Sequence, residues 1–222
     1  MIKLYICSFL LLFSVYGKAQ NLADFPLNVK EKPSAKRLIL YLSGDGGMNS
    51  FSGNLTKSLA DHYAIVSLDS RKYFWDQKTP EKLSKDLSTI ISHYLKIWNK
   101  EEFSIIGYSF GADVSLFLTP LLPKDLQAKL KSMVLLSPST STDLVIRLSD
   151  MIGFGGKEAK YKTLPELSKI SIPTLIVFGK DDENDFYKGI PDKKNINKIL
   201  IPGSHKFNND MNKVLSTVQA GL

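Results

Sequence analysis

The sequence predicts an α/β fold, a mostly parallel sheet with helices on both faces, and three observations carry that reading. Short apolar runs alternate with segments whose apolar residues recur every three or four positions, and strands alternating with helices are the mark of parallel crossover connections. The runs RLILYLS, AIVSLD, FSIIG, SMVLLS and PTLIVFG are apolar almost throughout, as strands covered on both faces are. One run leads through Gly107-Tyr108-Ser109-Phe110-Gly111 directly into a helical pattern. A serine set between two glycines at such a junction fits a reactive side chain on a sharp turn.

The first residues stand apart from that pattern. Lys3 precedes an apolar run from Leu4 to Val15, and Gly17-Lys18-Ala19 follows. This is the layout of a secretory signal, so residues 1–19 are expected to be cleaved and 20–222 to form a single domain. The run is short for a bilayer span; an uncleaved anchor is the alternative. A periplasmic or secreted location is expected. Cys7, the only cysteine, lies in the apolar run, so the mature chain has no disulfide and depends on its core.

From the lead-in, which is polar through Pro33, the elements follow in order. Arg37 to Ser43 is a buried strand, and SGDGG is a loop. Phe51, Leu55 and Leu59 give a helix running to His62, and Ala64 to Asp69 is the next strand. SRKYFWDQKT is an aromatic loop, and Pro80 opens a helix at a favoured first position. Leu83, Leu87, Ile90, Ile91, Tyr94 and Ile97 line that helix. Phe103 to Gly107 is a strand, with a helix after Ser109. Ser132 to Ser137, Pro173 to Gly179 and Asn197 to Gly203 are strands, and a helix follows Phe207. Pro138 to Ile172 is the least regular stretch, and at most a small lid is expected there. Ligands of such sheets bind beyond the carboxyl ends of the strands.

Strand, G-x-S-x-G and helix together form the nucleophile elbow of α/β hydrolases, against the plainer reading of a capping serine. A serine hydroxyl needs a base, and the chain has three histidines. His62 sits at the wrong end of the sheet and His93 in mid-helix. His205 follows the last strand and obeys the fold's order of serine, acid, histidine. The acid belongs on KDDEND after the strand PTLIVFG: Asp182 is preferred, with Asp181 and Asp185 as rivals. The expected oxyanion donors are the N–H groups of Phe110 and, from the glycine-rich SGDGG loop, Asp45. Gly44, Tyr73, Trp75 and Tyr108 are expected to bind substrate, with Met151 to Phe154 as a second apolar rim. For the Tyr73 to Trp75 stretch, plain core packing is an equal alternative. Neither metal nor cofactor is expected; SGDGG lacks the Gly-Lys-Ser/Thr of a phosphate loop.

LYLSGDGG, SLDSRKYFW with TPE after it, IIGYSFGADV and IPGSHKF occur in that order. Together they resemble the bacterial virulence protein VirJ/AcvB family of exported α/β hydrolases, from about Arg37 to Phe207. The resemblance implies Ser109 as nucleophile, His205 as base and an acid in KDDEND. It also implies hydrolysis of aminoacyl-phosphatidylglycerol, such as the lysyl ester, at the outer face of the inner membrane. The chain departs from the family pattern at Met48, where tryptophan is usual, and at Gly203-Ser204-His205-Lys206-Phe207, where a second histidine is usual. A degenerate hydrolase acting as a periplasmic binding or adaptor protein is the competing reading.

Net charge is +7, and loss of Lys3 and Lys18 leaves 27 basic residues against 22 acidic, or +5. Solubility explains that charge by itself, although contact with an anionic membrane also fits. The basic residues are scattered and not interleaved with aromatics, which argues against nucleic acid. A small-molecule or lipid ester is the expected substrate, and Asp45 or Asp69 is a candidate to meet a substrate ammonium.

Overall fold

The computed structural model describes residues 21–147, 159–182 and 184–222. The expected signal segment and the Met151 to Phe154 rim lie outside the described residues. Seven strands form the main sheet: β1 (Leu27–Lys30), β2 (Arg37–Leu42), β3 (Ala64–Leu68), β4 (Glu102–Tyr108), β5 (Leu130–Leu136), β8 (Thr174–Gly179) and β9 (Ile196–Ile201). Their order is β1-β3-β2-β4-β5-β8-β9; β1 runs antiparallel to β3, and every other neighbouring pair is parallel. A two-stranded ribbon pairs β6 (Ser141–Thr142) with β7 (Tyr161–Lys162).

Among the described residues the α-helices are α1 (Ser50–Leu59), α2 (Ser70–Tyr73), α3 (Pro80–Ile97), α4 (Phe110–Leu118), α5 (Lys124–Lys129), α6 (Thr163–Lys169), α7 (Asp185–Gly189) and α8 (Met211–Ala220). Side chains alternate across a strand, and β2 uses both faces. Leu38, Leu40 and Leu42 pack with Leu87 and Ile90 of α3 and Leu116 of α4. Ile39 and Tyr41 pack on the other face with Leu55 and Leu59 of α1 and Val214 and Val218 of α8. This is the α/β-hydrolase fold, with no large lid among the described residues.

Several elements differ from the sequence reading for identifiable reasons. β1 lies in the expected polar lead-in; it is an edge strand with no fully buried residue, so it has no apolar run to announce it. The aromatic loop contains α2, whose start is capped by Asp69 Oδ1 accepting from Lys72 N–H at 3.3 Å. α1 stops at Leu59, short of His62. The last helix begins at Met211 and not directly after Phe207, because Phe207, Asn208 and Asn209 form a tight turn with φ of 53°, 54° and 57°.

Candidate active site

β4 ends at Tyr108 and α4 begins at Phe110, leaving Ser109 at the junction with φ 52° and ψ −121°. A non-glycine residue there carries about 1–3 kcal/mol of strain, which the surroundings must hold. Ser109 N–H donates to Leu136 O at 2.8 Å, and Ser109 O accepts from Ala112 N–H at 2.8 Å and Asp113 N–H at 3.1 Å. The backbone is thus pinned on both sides while the hydroxyl makes no capping bond to its own helix. Gly111 permits the geometry: a Cβ there would lie 2.1 Å from Leu42 O and 2.5 Å from Ser43 O. The start of α4 therefore rests directly on the carboxyl end of β2.

His205 reaches the serine from the turn after β9. Its Nε2 is 2.9 Å from Ser109 Oγ, and its Nδ1 is 3.2 Å from Asp182 Oδ2. With Nδ1–H donating to the carboxylate, Nε2 is left to accept the serine proton. A second close backbone approach fixes this pair, since a Cβ on Gly179 would meet Gly203 O at 2.2 Å. Lys180 N–H donates to Ile201 O at 2.8 Å and Asp181 N–H to Gly203 O at 3.0 Å. These bonds tie the acid's loop to the histidine's turn. The His205 side chain is 43% exposed and that of Asp182 18%, so the imidazole faces the cleft over a shielded acid. Asp181 points to solvent, and the exposed Asp185 pairs with Lys188 at 3.0 Å. His62 is exposed beside Lys36 and Arg37, and the His93 ring packs on Tyr94 within α3.

Asp45, Ser109 and Phe110 line one cavity of about 160 Å³. Among the described residues, the N–H groups of Asp45 and Phe110 donate to no acceptor, so both are free for an incoming oxygen. A second, open pocket of about 660 Å³ starts one residue further along the same loop and is lined by Gly46, Met48, Arg71, Lys72 and Trp75. Asp69, the other acid considered for a substrate ammonium, lies on the wall of this larger pocket and not of the cavity that holds the serine. No group of three or more His, Cys, Asp or Glu among the described residues is arranged to hold a metal ion.

The expected substrate residues divide. Trp75 is 55% exposed on the larger pocket. Tyr73 is corrected to a core residue: its ring packs on Phe25 and Phe74, and its hydroxyl donates to buried Asp86 at 2.7 Å. Tyr108 backs the histidine, with ring centroids 5.7 Å apart and its hydroxyl donating to His205 O at 3.4 Å. Burial, then the charges of Asp45 and Asp182, push its phenol up to about 12. Gly44 is buried beneath Ser109, where an added Cβ would come within 3.3 Å of the serine Cβ; it supports the Ser109 turn and lines neither cavity.

Sequence reasoning passed over Asp113. It is 3% exposed, lines the smaller cavity, and accepts from Ser139 N–H at 2.6 Å. Burial holds its carboxyl well above the usual carboxylate range; the Ser139 bonds oppose this and the charge of Asp45 adds to it. The available signal was a lone acid in the otherwise apolar helix FGADVSLFL.

The sequence model of the family described as bacterial virulence protein (VirJ) matches residues 36–221. No curated protein sequence matches the chain. Among solved structures, a lipase-esterase related protein from Clostridium acetobutylicum is similar at TM-score 0.62 and 16% identity, over 89% of this chain and 99% of its own. Naproxen esterase from Bacillus subtilis is similar at TM-score 0.58 and 15% identity, over 89% and 88%. Proline iminopeptidase from Mycobacterium smegmatis is similar at TM-score 0.60 and 15% identity, over 87% and 92%. At such identities the likeness is one of fold.

Proposed function

The chain belongs to the bacterial virulence protein VirJ family, and from that premise we propose that it is an exported serine hydrolase that cleaves an ester. The observation that carries the proposal is the hydrogen-bonded row Ser109, His205, Asp182 at the carboxyl ends of the strands. In the proposed reaction Ser109 Oγ attacks the ester carbonyl as its proton passes to His205 Nε2. Asp182 holds Nδ1–H and stabilises the imidazolium. The carbonyl oxygen, now anionic, receives the N–H groups of Phe110 and Asp45. His205 then protonates the departing alcohol, and a water molecule, deprotonated by the same nitrogen, releases the acid from Ser109.

The proposed substrate is the aminoacyl ester of an anionic phospholipid, with the lysyl ester of phosphatidylglycerol as the case to test. Two features support it. The pocket of about 660 Å³ sets Trp75 and Met48 beside Arg71, Lys72, Asp69 and Asp76; Lys72 pairs with Asp69 at 3.7 Å, which leaves Arg71 as the cation to meet a lipid phosphate. The +5 of the chain without Lys3 and Lys18 favours an anionic membrane surface. A periplasmic location, reached through the N-terminal segment, belongs to the same proposal.

The test incubates the purified protein with lysyl-phosphatidylglycerol vesicles and follows free lysine by mass spectrometry. Release is expected for the wild type and not for Ser109→Ala, which loses the attacking atom and several orders of magnitude in rate. Turnover of short-chain esters without lysine release above the Ser109→Ala background would discard the lipid and leave an esterase. Near-wild-type activity in Ser109→Ala would discard the serine mechanism.

A further inference from the structure

We infer that Asp113 is the specificity-determining residue of the site: its carboxylate, with Asp45 at the cavity mouth, receives a cationic group carried on the acyl part of the ester, beside the scissile carbonyl. The inference rests on the serine-hydrolase reading and adds to it the residue that recognises the acyl group's ammonium.

Asp113 follows Ser109 by four residues, and its N–H donates to Ser109 O at 3.1 Å. Residues spaced in this way share a helix face, so the carboxylate and the nucleophile line the same cavity. Every residue of α4 from Gly111 to Leu118 is buried, and such a helix is otherwise filled with apolar side chains. A carboxylate in that setting is costly unless an opposite charge or full hydrogen bonding compensates it. Ser139 provides hydrogen bonds, with its N–H at 2.6 Å, but among the described residues no cation pairs with Asp113. Arg147 lines the same cavity yet is engaged by Asp143 at 3.1 Å. Asp45 adds a second negative charge on the wall. Among the described residues no cation offsets its charge, and the cavity that Asp113 lines is the one that holds Ser109.

The two pockets divide the ester by size and charge. The cavity at Ser109, about 160 Å³, is the smaller and carries both carboxylates, so the compact cationic acyl group is assigned to it. The alcohol half then falls to the larger pocket around Trp75 and Arg71. The raised carboxyl of Asp113 agrees with this: without a cation beside it, the buried group resists ionisation, and a bound ammonium reverses that preference.

The test uses two esters of one alcohol, alanyl and isobutyryl, which differ by an ammonium in place of a methyl group. Wild type is expected to favour the alanyl ester in kcat/KM, and Asp113→Asn to lower that preference by about 10- to 100-fold, the worth of a hydrogen bond to a charged group. Asparagine keeps an oxygen for Ser139 N–H, so a purely structural role would move both esters together and leave the ratio intact. Asp45→Asn, on an exposed loop and with its backbone N–H retained, is expected to lower the ratio several-fold and covers the case of Asp113→Asn failing to fold. Turnover of both esters with no preference, or a ratio unmoved by either variant, overturns the inference and spares the serine mechanism. No turnover of either ester above the Ser109→Ala background overturns both.

Discussion

Replacing Gly111 with alanine is expected to disable the site through a side chain that touches no substrate. The new Cβ would lie 2.1 Å from Leu42 O and 2.5 Å from Ser43 O, whereas ordinary contact begins near 3.4 Å. The first of those gaps falls short by 1.3 Å. Both oxygens belong to backbone at the end of β2, which is held between β3 and β4, so the strand does not yield by itself. The start of α4 must back away by on the order of 1 Å, taking Ser109 with it. The 2.9 Å contact from Ser109 Oγ to His205 Nε2 would then stretch beyond hydrogen-bonding length. A misplacement of about 1 Å costs on the order of 100-fold in rate, and overpacking costs about 1–3 kcal/mol in stability.

Gly53 supplies the control. It lies in α1 with nothing within 4 Å of an added Cβ, so Gly53→Ala is expected to be neutral or to stabilise by about 0.5–1 kcal/mol. The assays are kcat/KM on a short-chain ester and thermal unfolding, where each 1 kcal/mol corresponds to about 2–4 °C for a chain of this size. A Gly111→Ala protein with wild-type kcat/KM and wild-type Tm would refute the argument that this contact holds the nucleophile in place.

The same assay separates the remaining residues. His205→Gln is expected to match Ser109→Ala, while His62→Gln and His93→Gln keep near-wild-type kcat/KM; inactivity in His93→Gln alone would contradict the geometry of the cleft. Asp182→Asn is expected to lose roughly two to four orders of magnitude in kcat, because an amide cannot hold the needed imidazole tautomer. Asp181→Asn and Asp185→Asn are expected to lose little, and equal losses at all three would mean that the loop acts through folding.

Legibility in the sequence followed what each element has to bury. The central strands have apolar residues on both faces, so β2, β3, β4, β5 and β8 were visible as apolar runs. β1 has half-exposed residues and edge pairing alone, and no run marked it. The serine was legible because its turn demands small neighbours at fixed spacing. The acid was not unique in the sequence: Asp182 was preferred in KDDEND, but Asp181 and Asp185 stayed rivals until the bond from Asp181 N–H to Gly203 O set how the loop turns. That contact joins residues far apart in the chain. Tyr73 and Trp75 were likewise equivalent in YFW. The four-residue helix α2 turns the first into the core and leaves the second in the open pocket.

Asp113 and Met48 show how the two pockets make one arrangement around the SGDGG loop. Periodicity treats an acid in a helix as a solvent-facing residue, and only the burial of α4 on every side gives Asp113 its charge problem. Met48 lines the larger pocket beside Trp75. Its thioether chain is slim and adaptable, which suits the wall proposed to hold the alcohol half. The small cavity holds Asp45, Phe110 and Asp113, which are proposed to act on the acyl half. On that proposal, substitution at Met48 is expected to change which alcohol leaves, and substitution at Asp113 which acid is released. The loop after β2 joins the two pockets: Asp45 lines the one that holds Ser109, and Gly46, Gly47 and Met48 line the other.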